Sequence, residues 1–341
     1  MKISLPQLNV GVKKNYRPVI RQILHLIKQH KKFLITTHVR CDGDAVGSEL
    51  AIKSMLNRMG KIAHIVNVGG ISKELMFLPG IQEVANGVKH LLSSYDAIIV
   101  VDSGSFERLG EMRLALPPHR PIINIDHHLS NDNFGAINWV APEMSSVGEM
   151  VYRLIKTARI PIDKNTATNL YVSLITDTGH FRFASTTPYS HLMASDLLSR
   201  GVNLVEVTKS IYNNKTPDEI KLQYDCIKRM KFAENNRIAW IFLTRAMYKK
   251  HRTIPRDSQE YLQVLKSIKT VVVAILFRET AEDPLRIKIS IRSEPPVDAN
   301  KLAGHFGGGG HYRASGCTMT GSLKKAERLL ISKARQYVKP L

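Results

Sequence analysis

Apolar and polar residues along this chain alternate with two different periods. Over residues 16–30 apolar side chains recur at helical spacing among lysine, arginine and glutamine, which predicts an amphipathic first helix. Four short apolar runs typical of strands follow, at 33–37, 62–68, 96–102 and 121–126. Two further helical patterns come next, at 145–158 and 163–177. Strands that alternate with helices in this way predict a mostly parallel sheet with helices on both faces.

The pattern changes character between about 185 and 220, where polar, turn-rich pieces flank a helical stretch. Beyond this region, strand-like runs at 237–243, 270–278 and 285–292 accompany helical patterns near 258–268 and 323–336. A chain of 341 residues is long enough for two domains. We therefore predict a two-domain α/β protein with a first domain at 1–195, a linker at 196–220 and a smaller α/β domain at 221–341.

The composition fits a folded protein in a reducing compartment. Of the residues, 43% are hydrophobic and 23% are charged, and the sequence shows neither a run of eighteen apolar residues nor a secretory leader. The three cysteines, Cys41, Cys226 and Cys317, lie far apart, which argues against a disulfide framework and a cysteine zinc site. We expect a soluble, cytoplasmic protein that makes no membrane contact.

The charge of the chain points to an anionic partner. The net charge is +20 and the isoelectric point is near 9.9. Phosphate is the first expectation, since lysine and arginine are the residues that neutralise phosphates in nucleic-acid complexes. A solvated basic surface without a specific ligand is the alternative, because net charge says nothing about the fold.

One imidazole and two carboxylates lie within seven residues directly after the first predicted strand. His38, Asp42 and Asp44 occupy the turn between that strand and a helical segment, and Gly43 allows a tight turn between the two acids. The carboxyl ends of strands are where open α/β sheets place their chemistry. These side chains can converge to bind divalent cations. A surface loop with the sequence Asp-Gly-Asp is the common alternative.

Further acids follow the ends of later predicted elements. Asp102 closes one apolar run, Asp126 closes the next with His127 and His128 attached, and Asp177 closes a helical pattern. A single acid in such a place most often caps the following helix. Several acids gathered at one edge of a sheet would repel each other unless cations neutralised them. Together, these acids therefore favour a metal site.

Taken in chain order, these motifs resemble those of the DHH phosphoesterases. The pattern is His38-x-x-x-Asp42-x-Asp44, Asp102, Asp126-His127-His128 and Asp177. The second half adds Gly307-Gly308-Gly309-Gly310-His311 followed by Ala314-Ser315-Gly316, which is similar to the signature of the DHHA1 domain. The chain thus resembles, over nearly its whole length, the DHH–DHHA1 group, which contains oligoribonucleases of the NrnA type. It departs from the pattern at Cys41, where relatives often carry proline, a position that supplies no ligand.

The resemblance implies that the first domain is a DHH catalytic domain with two divalent ions, usually manganese. Carried over position by position, His38 and Asp42 would hold one ion, Asp44, His127 and Asp177 would hold the other, and Asp102 would bridge them. The expected catalytic residues are His128, Asp102 and Asp126. His128 would lie near the scissile phosphate, where it would stabilise charge or donate a proton, and Asp126 would orient a neighbouring histidine.

In the second domain the resemblance implies a DHHA1 clamp for the terminal phosphate or base of the substrate. Backbone N–H groups of a glycine run can approach a phosphate closely, and basic side chains add donors beside it. The expected substrate-binding residues are Arg292, Ser293, Gly308, Gly309, Gly310, His311 and Arg313. A flexible loop is the common alternative for a glycine run. A solvated strand face is the alternative for Arg286, Lys288 and Ser290.

These implications lead to one expected function and several alternatives. We expect a manganese-dependent phosphoesterase that hydrolyses oligoribonucleotides of a few residues to mononucleotides and also dephosphorylates 3′-phosphoadenosine 5′-phosphate. A substrate that spans metals in one domain and a clamp in the other would be short. The alternatives are cleavage of cyclic or linear dinucleotides, inorganic pyrophosphatase activity, against which the glycine run argues, and a nucleic-acid-binding module without catalysis. The sequence leaves the oligomeric state open, and a homodimer is compatible with it.

Overall fold

The computed structural model describes residues 15–254, 259–280, 283 and 285–338, with the backbone alone for Gln259 and His311. Within these residues the chain forms two compact units that divide after Asn214. The stretch predicted as a linker, 196–220, contains a helix at Leu204–Tyr212 and the start of another at Pro217. The domain limits at 195 and 221 therefore stay a proposal. Among the described residues, no helix is long and apolar enough to cross a membrane.

The first unit is built on a six-stranded parallel sheet, so the predicted α/β class is confirmed. Its strands are β1 Lys32–Thr37, β2 Ile62–Asn67, β3 Val84–Asn86, β4 Ala97–Val101, β5 Ile122–Asp126 and β6 Ile137–Val140. Their order across the sheet is β3-β2-β1-β4-β5-β6. β1 therefore lies where the strand order reverses, and the carboxyl ends of β1 and β4 flank that point. Open α/β sheets bind their ligands at this place.

Seven helices belong to the described part of the first unit, and most of them pack on one face of the sheet. They are α1 Arg17–Gln29, α2 Gly43–Arg58, α3 Met112–Ala115, α4 Val147–Thr157, α5 Lys164–Asp177, α6 Pro188–Ser199 and α7 Leu204–Tyr212. Side chains of β1 point alternately to the two faces: Phe33 and Ile35 join the core under α1, α2, α4 and α5, and Leu34 joins the opposite core with Met112 of α3. A strand buried on both faces explains the unbroken apolar run that predicted it.

The second unit has its own six-stranded sheet and its own core. The strands are β7 Lys231–Ala233, β8 Ile238–Leu243, β9 Val273–Glu279, β10 Arg286–Ser293, β11 Gly309–His311 and β12 Ala314–Thr320, in the order β11-β12-β10-β9-β8-β7. β8 and β9 run parallel, and the other neighbours are antiparallel. Its helices are α8 Pro217–Lys228, α9 Arg245–His251, α10 Gln259–Lys266, α11 Ala299–Gly304 and α12 Leu323–Val338. The predicted smaller α/β domain is confirmed.

Candidate metal centre

The turn after β1 presents His38 and Asp42 in fixed orientations. Asp42 caps α2, since its carboxylate accepts hydrogen bonds from the backbone N–H groups of Asp44 and Ala45, both at 3.1 Å. His38 Nδ1 lies 2.8 Å from the Val39 carbonyl oxygen, and this contact turns Nε2 towards the Asp102 carboxylate at 3.3 Å. Burial lowers the pKa of His38, but Asp102 raises it and prevails. The ring is thus held against a carboxylate by its surroundings.

Two glycines of α2 let this helix approach α5 closely. A methyl group at Gly43 would lie 2.6 Å from the side chain of Thr176, and one at Gly47 would lie 2.4 Å from the carbonyl oxygen of Asn169. At Gly47 a larger residue would force one helix to shift, since the obstacle is a backbone atom, whereas at Gly43 the Thr176 side chain would have to move. The close contact places Asp44, in the first turn of α2, near Asp177, the last residue of α5.

Asp102 occupies the centre of the cluster. It follows β4 directly. Its backbone φ of 54° lies in the left-handed region, which aspartate adopts more readily than most residues other than glycine and asparagine. One carboxylate oxygen lies 3.8 Å from His127 Nε2 and 3.7 Å from His128 Nδ1, and the other faces His38. Burial raises the pKa of Asp102, but the three imidazoles lower it to about 2. Asp102 is therefore an anion that contacts every histidine of the site.

The structure brings together all six residues expected as metal ligands. They form two triads whose donor atoms lie within 4.8 Å of one another: His38, Asp42 and Asp102 in the first triad, and Asp44, His127 and Asp177 in the second triad. Asp102 also groups with His127 and His128. It thus reaches from the first triad to the second, as a shared ligand would. The assignment of particular residues to particular ions stays a proposal.

The electrostatics of the triads suit divalent cations. Desolvation by the packed surroundings raises the pKa values of Asp42 and Asp177, although Asp42 is exposed at one side and Asp177 is part-exposed, and desolvation together with Asp102 raises the pKa of Asp44. Burial lowers the pKa of His127, but Asp177, Asp44 and Asp102 raise it to about 10. The raised pKa values of Asp42, Asp44 and Asp177 mean that these three carboxylates lack enough positive charge around them. Carboxylate and imidazole donors are ligands for manganese and similar ions, so the donor set fits the implied pair of metals.

Asp126 and His128 form a hydrogen-bonded pair beside the triads. His128 Nδ1 lies 2.7 Å from Asp126 Oδ1, and Asn131 Nδ2 donates to the other carboxylate oxygen at 2.6 Å. Asp126 is fully buried. It can therefore orient His128, as the resemblance implied, whereas the catalytic roles of both residues stay a prediction.

Arg108 is the residue of this site that sequence reasoning missed. Its guanidinium Nη1 lies 3.3 Å from His128 Nε2, and its backbone carbonyl accepts a hydrogen bond from the Val39 N–H at 2.8 Å. An exposed cation is thus anchored beside both the His38 turn and the His128 ring. The only signal in the sequence is an arginine six residues after Asp102 in a polar loop, which does not distinguish it from other surface arginines.

In the second unit, the expected substrate residues gather at one end of the sheet. Arg292 of β10 pairs in register with Ala314 of β12, and Ala314 pairs with His311 of β11. Arg313 is half exposed and lies 3.6 Å from Glu294. The side chain of His311 lies outside the described residues. The gathering supports an anion site without establishing which of these residues touch a substrate.

The structure adds detail to two of these expectations, those for Ser293 and for the glycine run. Ser293 is buried, and its hydroxyl donates to the Val297 carbonyl at 2.8 Å, which does not favour direct contact with a substrate; its role in substrate binding stays a prediction. The glycine run is not a plain loop, because Gly309 and Gly310 belong to the edge strand β11. Methyl groups at Gly308 and Gly310 would lie 2.2 and 2.6 Å from carbonyl oxygens of the neighbouring strand. The glycines thus allow β11 to pack, whatever else they do.

Comparison with known proteins identifies both units. Residues 32–174 match the N-terminal domain of the DHH family, and residues 240–339 match the DHHA1 domain. A relative from Thermus thermophilus, called a bifunctional oligoribonuclease and PAP phosphatase NrnA, is 32% identical over 84% of each chain. A protein of the same name from Bacillus subtilis is 28% identical over 91% of this chain and 96% of its own.

Among solved structures, an exopolyphosphatase-related protein from Bacteroides fragilis is similar to the whole fold. It superposes with a TM-score of 0.88 at 29% identity, and the match covers 94% of this chain and 96% of that one. The observed architecture is therefore one that a related chain adopts in a crystal.

Proposed function

Because the chain belongs to the DHH family and carries a DHHA1 domain, we propose that it is a hydrolase of short oligoribonucleotides. It releases mononucleotides from these strands and also dephosphorylates 3′-phosphoadenosine 5′-phosphate. The observation that carries this proposal is the pair of donor triads, together with Asp102, which belongs to the first triad and also groups with His127 of the second. The relatives named for both activities support it over most of the chain. The proposal includes manganese as the native metal and a cytoplasmic location.

The residues of the two triads would hold two divalent ions. His38 and Asp42 would bind one, Asp44, His127 and Asp177 the other, and Asp102 both. Such a pair supplies a nucleophile from water at neutral pH and neutralises charge on the phosphoryl group. Imidazole and carboxylate donors in this proportion suit manganese without excluding magnesium.

The protein's own groups then orient the substrate and handle a proton. When His128 donates its Nδ1 proton to Asp126, its Nε2 atom faces Arg108 and the open side of the site. Nε2 accepts from the Arg108 guanidinium in this arrangement, so it would carry a proton to the leaving oxygen of a phosphodiester only once the substrate takes over Arg108. Asp126, itself fixed by Asn131, keeps the ring in this orientation.

The charge of the second unit favours a nucleotide substrate. Residues 215–341 contain 25 lysines and arginines against 12 acids, so this unit carries +13 of the net charge of +20. Arg292 and Arg313 stand at the same end of its sheet as the edge strand β11. Arginines of this kind can bind a phosphate in bidentate fashion. This unit can therefore supply the clamp for the phosphate or base of a short strand.

A substrate panel tests the proposed function. We expect fast, manganese-dependent hydrolysis of a labelled RNA dinucleotide, slower release of phosphate from phosphoadenosine phosphate, and little cleavage of a longer RNA. A cyclic dinucleotide and pyrophosphate, assayed in parallel with manganese and with chelator, represent the alternatives. Preference for either of these two would replace the proposal, and turnover of none of the five would refute it.

Replacement of Arg108 by glutamine should weaken the transition-state interaction with the phosphodiester. Five carboxylates of the cluster, including Asp126, carry one more negative charge than two divalent ions would neutralise, and Arg108 supplies the missing positive charge. Loss of one charged hydrogen bond costs about 1.5–3 kcal/mol. We therefore expect kcat/KM for the dinucleotide to fall by about 10–100-fold.

The matched control is Arg113→Gln, which removes an exposed arginine from α3 in the same unit. This variant lowers the net charge by the same amount without touching the His128 ring. It should therefore leave kcat/KM unchanged. Equal losses in the two variants would mean that Arg108 acts through net charge and not through contact with substrate.

A further inference from the structure

One loop holds two members of the second triad. The backbone N–H groups of Val147 and Gly148, in the first turn of α4, donate to the two carboxylate oxygens of Asp44 at 2.8 and 3.0 Å. The Met144 carbonyl, three residues earlier, lies 3.1 Å from His127 Nδ1. This contact directs His127 Nε2 towards Asp177 at 3.4 Å. The segment 144–148 therefore sets the orientation of an acid and an imidazole that come from distant parts of the chain.

A buried ionic network lies directly behind that loop. One carboxylate oxygen of Glu149 accepts hydrogen bonds from the backbone N–H and the hydroxyl of Ser145, at 3.0 and 2.7 Å. The other accepts from the Arg153 guanidinium at 3.0 and 2.7 Å. Arg153 in turn lies over the ring of Tyr189, 3.6 Å from its centroid. Glu149 and Arg153 are only 1% and 3% exposed, so the network is shielded from solvent.

The first triad is held by different elements. His38 is turned by the Val39 carbonyl, and Asp42 is fixed by the N–H groups of its own helix. Asp102 is fixed by its place at the end of β4, where its N–H donates to Ile125 at 3.0 Å. A change that disturbs the hydrogen bonds to the second triad can therefore leave the ligands of the first triad in place.

We infer that Ser145, Glu149 and Arg153 form a brace that positions Asp44 and His127 for one of the two metal ions. The inference rests on the proposed two-metal site and deepens it. Glu149 holds Ser145, Ser145 fixes the entry to α4, and that entry fixes both ligands. All three are positioning residues, since they reach the metals only through Asp44 and His127. Without the brace, the ion at the second triad is bound more weakly than the ion at the first.

A buried ion pair is weak evidence of a stabilising role, because desolvation of the two charges offsets much of their attraction. Removal of one partner leaves the other charge buried and destabilises the fold, whereas replacement of both can be neutral. The single variant Glu149→Gln therefore tests the brace together with stability. The double variant Glu149→Gln with Arg153→Met tests the brace with the uncompensated charge removed.

The experiment measures binding of Mn²⁺ alone to the chelator-treated full-length chain, by titration calorimetry and by electron paramagnetic resonance of paired ions. We expect the wild type to bind two ions. Both brace variants should bind one of them about 10–100-fold more weakly, as is typical when a partner of a metal ligand is removed. The other ion should keep its affinity. The resonance signal of coupled ions should give way to that of an isolated ion at intermediate manganese concentrations.

A second acid–arginine pair in the same unit provides the control. Asp196 of α6 and Arg200, the residue that follows this helix, are also four residues apart and 2.8 Å from each other, and Asp196 accepts a hydrogen bond from Tyr152. The variant Asp196→Asn with Arg200→Met should bind both ions as the wild type does. Its melting temperature, compared with that of the double brace variant, shows how much stability is lost with an acid–arginine pair that is half-buried and distant from the proposed metals.

Each outcome decides the inference. Selective loss of one ion in the double variant, at a melting temperature close to wild type, supports the brace. Equal weakening of both ions, no weakening, or full recovery of affinity in the double variant would overturn it. A wild type that binds fewer than two ions would end both proposals. A wild type that binds two ions but cleaves none of the five substrates would end only the proposed function.

Discussion

The variant Asp102→Asn is expected to lose hydrolysis of the RNA dinucleotide by about 10³-fold or more. Asp102 groups with members of both triads, and its two oxygens face His38, His127 and His128. The asparagine keeps the size of the side chain but removes the negative charge and, in the proposed two-metal site, one anionic ligand that both ions would share. Both ions should therefore bind more weakly. The measurements are kcat with saturating manganese, the metal content after dialysis, and circular dichroism to show that the fold is retained.

Glu111→Gln is the matched control, because Glu111 is an exposed acid that lies, like Asp102, between β4 and β5. It should preserve both the rate and the metal content. An Asp102→Asn protein that is folded and still turns over the dinucleotide at the wild-type rate would show that chemistry takes place elsewhere.

The ligand cluster could be predicted because parallel strands end at a common edge. Asp102 and Asp126 each close an apolar run, and His38 lies one residue beyond another. Local patterns therefore placed these side chains at the carboxyl ends of β4, β5 and β1, which are neighbours in the sheet. The order of the strands was not needed for this step. A wrong order would still have placed these side chains at one edge.

The supports of the ligands could not be predicted in this way. Asp44 is held by N–H groups of Val147 and Gly148, more than a hundred residues further along the chain. Arg108 is defined as a site residue only by its distance from His128. Such contacts depend on how helices and loops pack on the sheet. Periodicity along a single chain carries no information about that packing.

The burial of Ser293 in the second unit could have been predicted from the sequence. β10 alternates strictly, with Ile287, Ile289 and Ile291 buried, and Ser293 has the same parity. The alternation that predicted the strand also predicts that Ser293 faces the core and Arg292 does not.

The strand β12 was not predicted from the sequence. Its small residues, Ala314-Ser315-Gly316-Cys317-Thr318, lack the apolar alternation that marks a strand, and its pairing with β10 supplies what its side chains do not.

The variant Gly47→Ala should destabilise the first unit and disturb the metal centre at the same time. The added methyl group would lie 2.4 Å from the Asn169 carbonyl oxygen and 3.1 Å from Ser173 Cβ, and a backbone atom cannot rotate away. Helices α2 and α5 must therefore separate, at a cost of about 1–3 kcal/mol. Asp44 lies on α2 and Asp177 on α5, so separation of the helices moves these two acids apart. The melting temperature and the affinity for Mn²⁺ should both fall.

The control for this variant is Gly304→Ala, since an added methyl group there meets nothing within 4 Å. Alanine favours a helix over glycine by about 1 kcal/mol, so this variant should be unchanged or slightly more stable. The comparison separates the effect of the methyl group from the general preference of helices for alanine. If Gly47→Ala melted like the wild type and bound both ions normally, the close approach of α2 and α5 would not be what holds Asp44 near Asp177. The hydrogen bonds to Asp44 from the α4 backbone and from the Ser48 and Ser173 hydroxyls would then position that carboxylate.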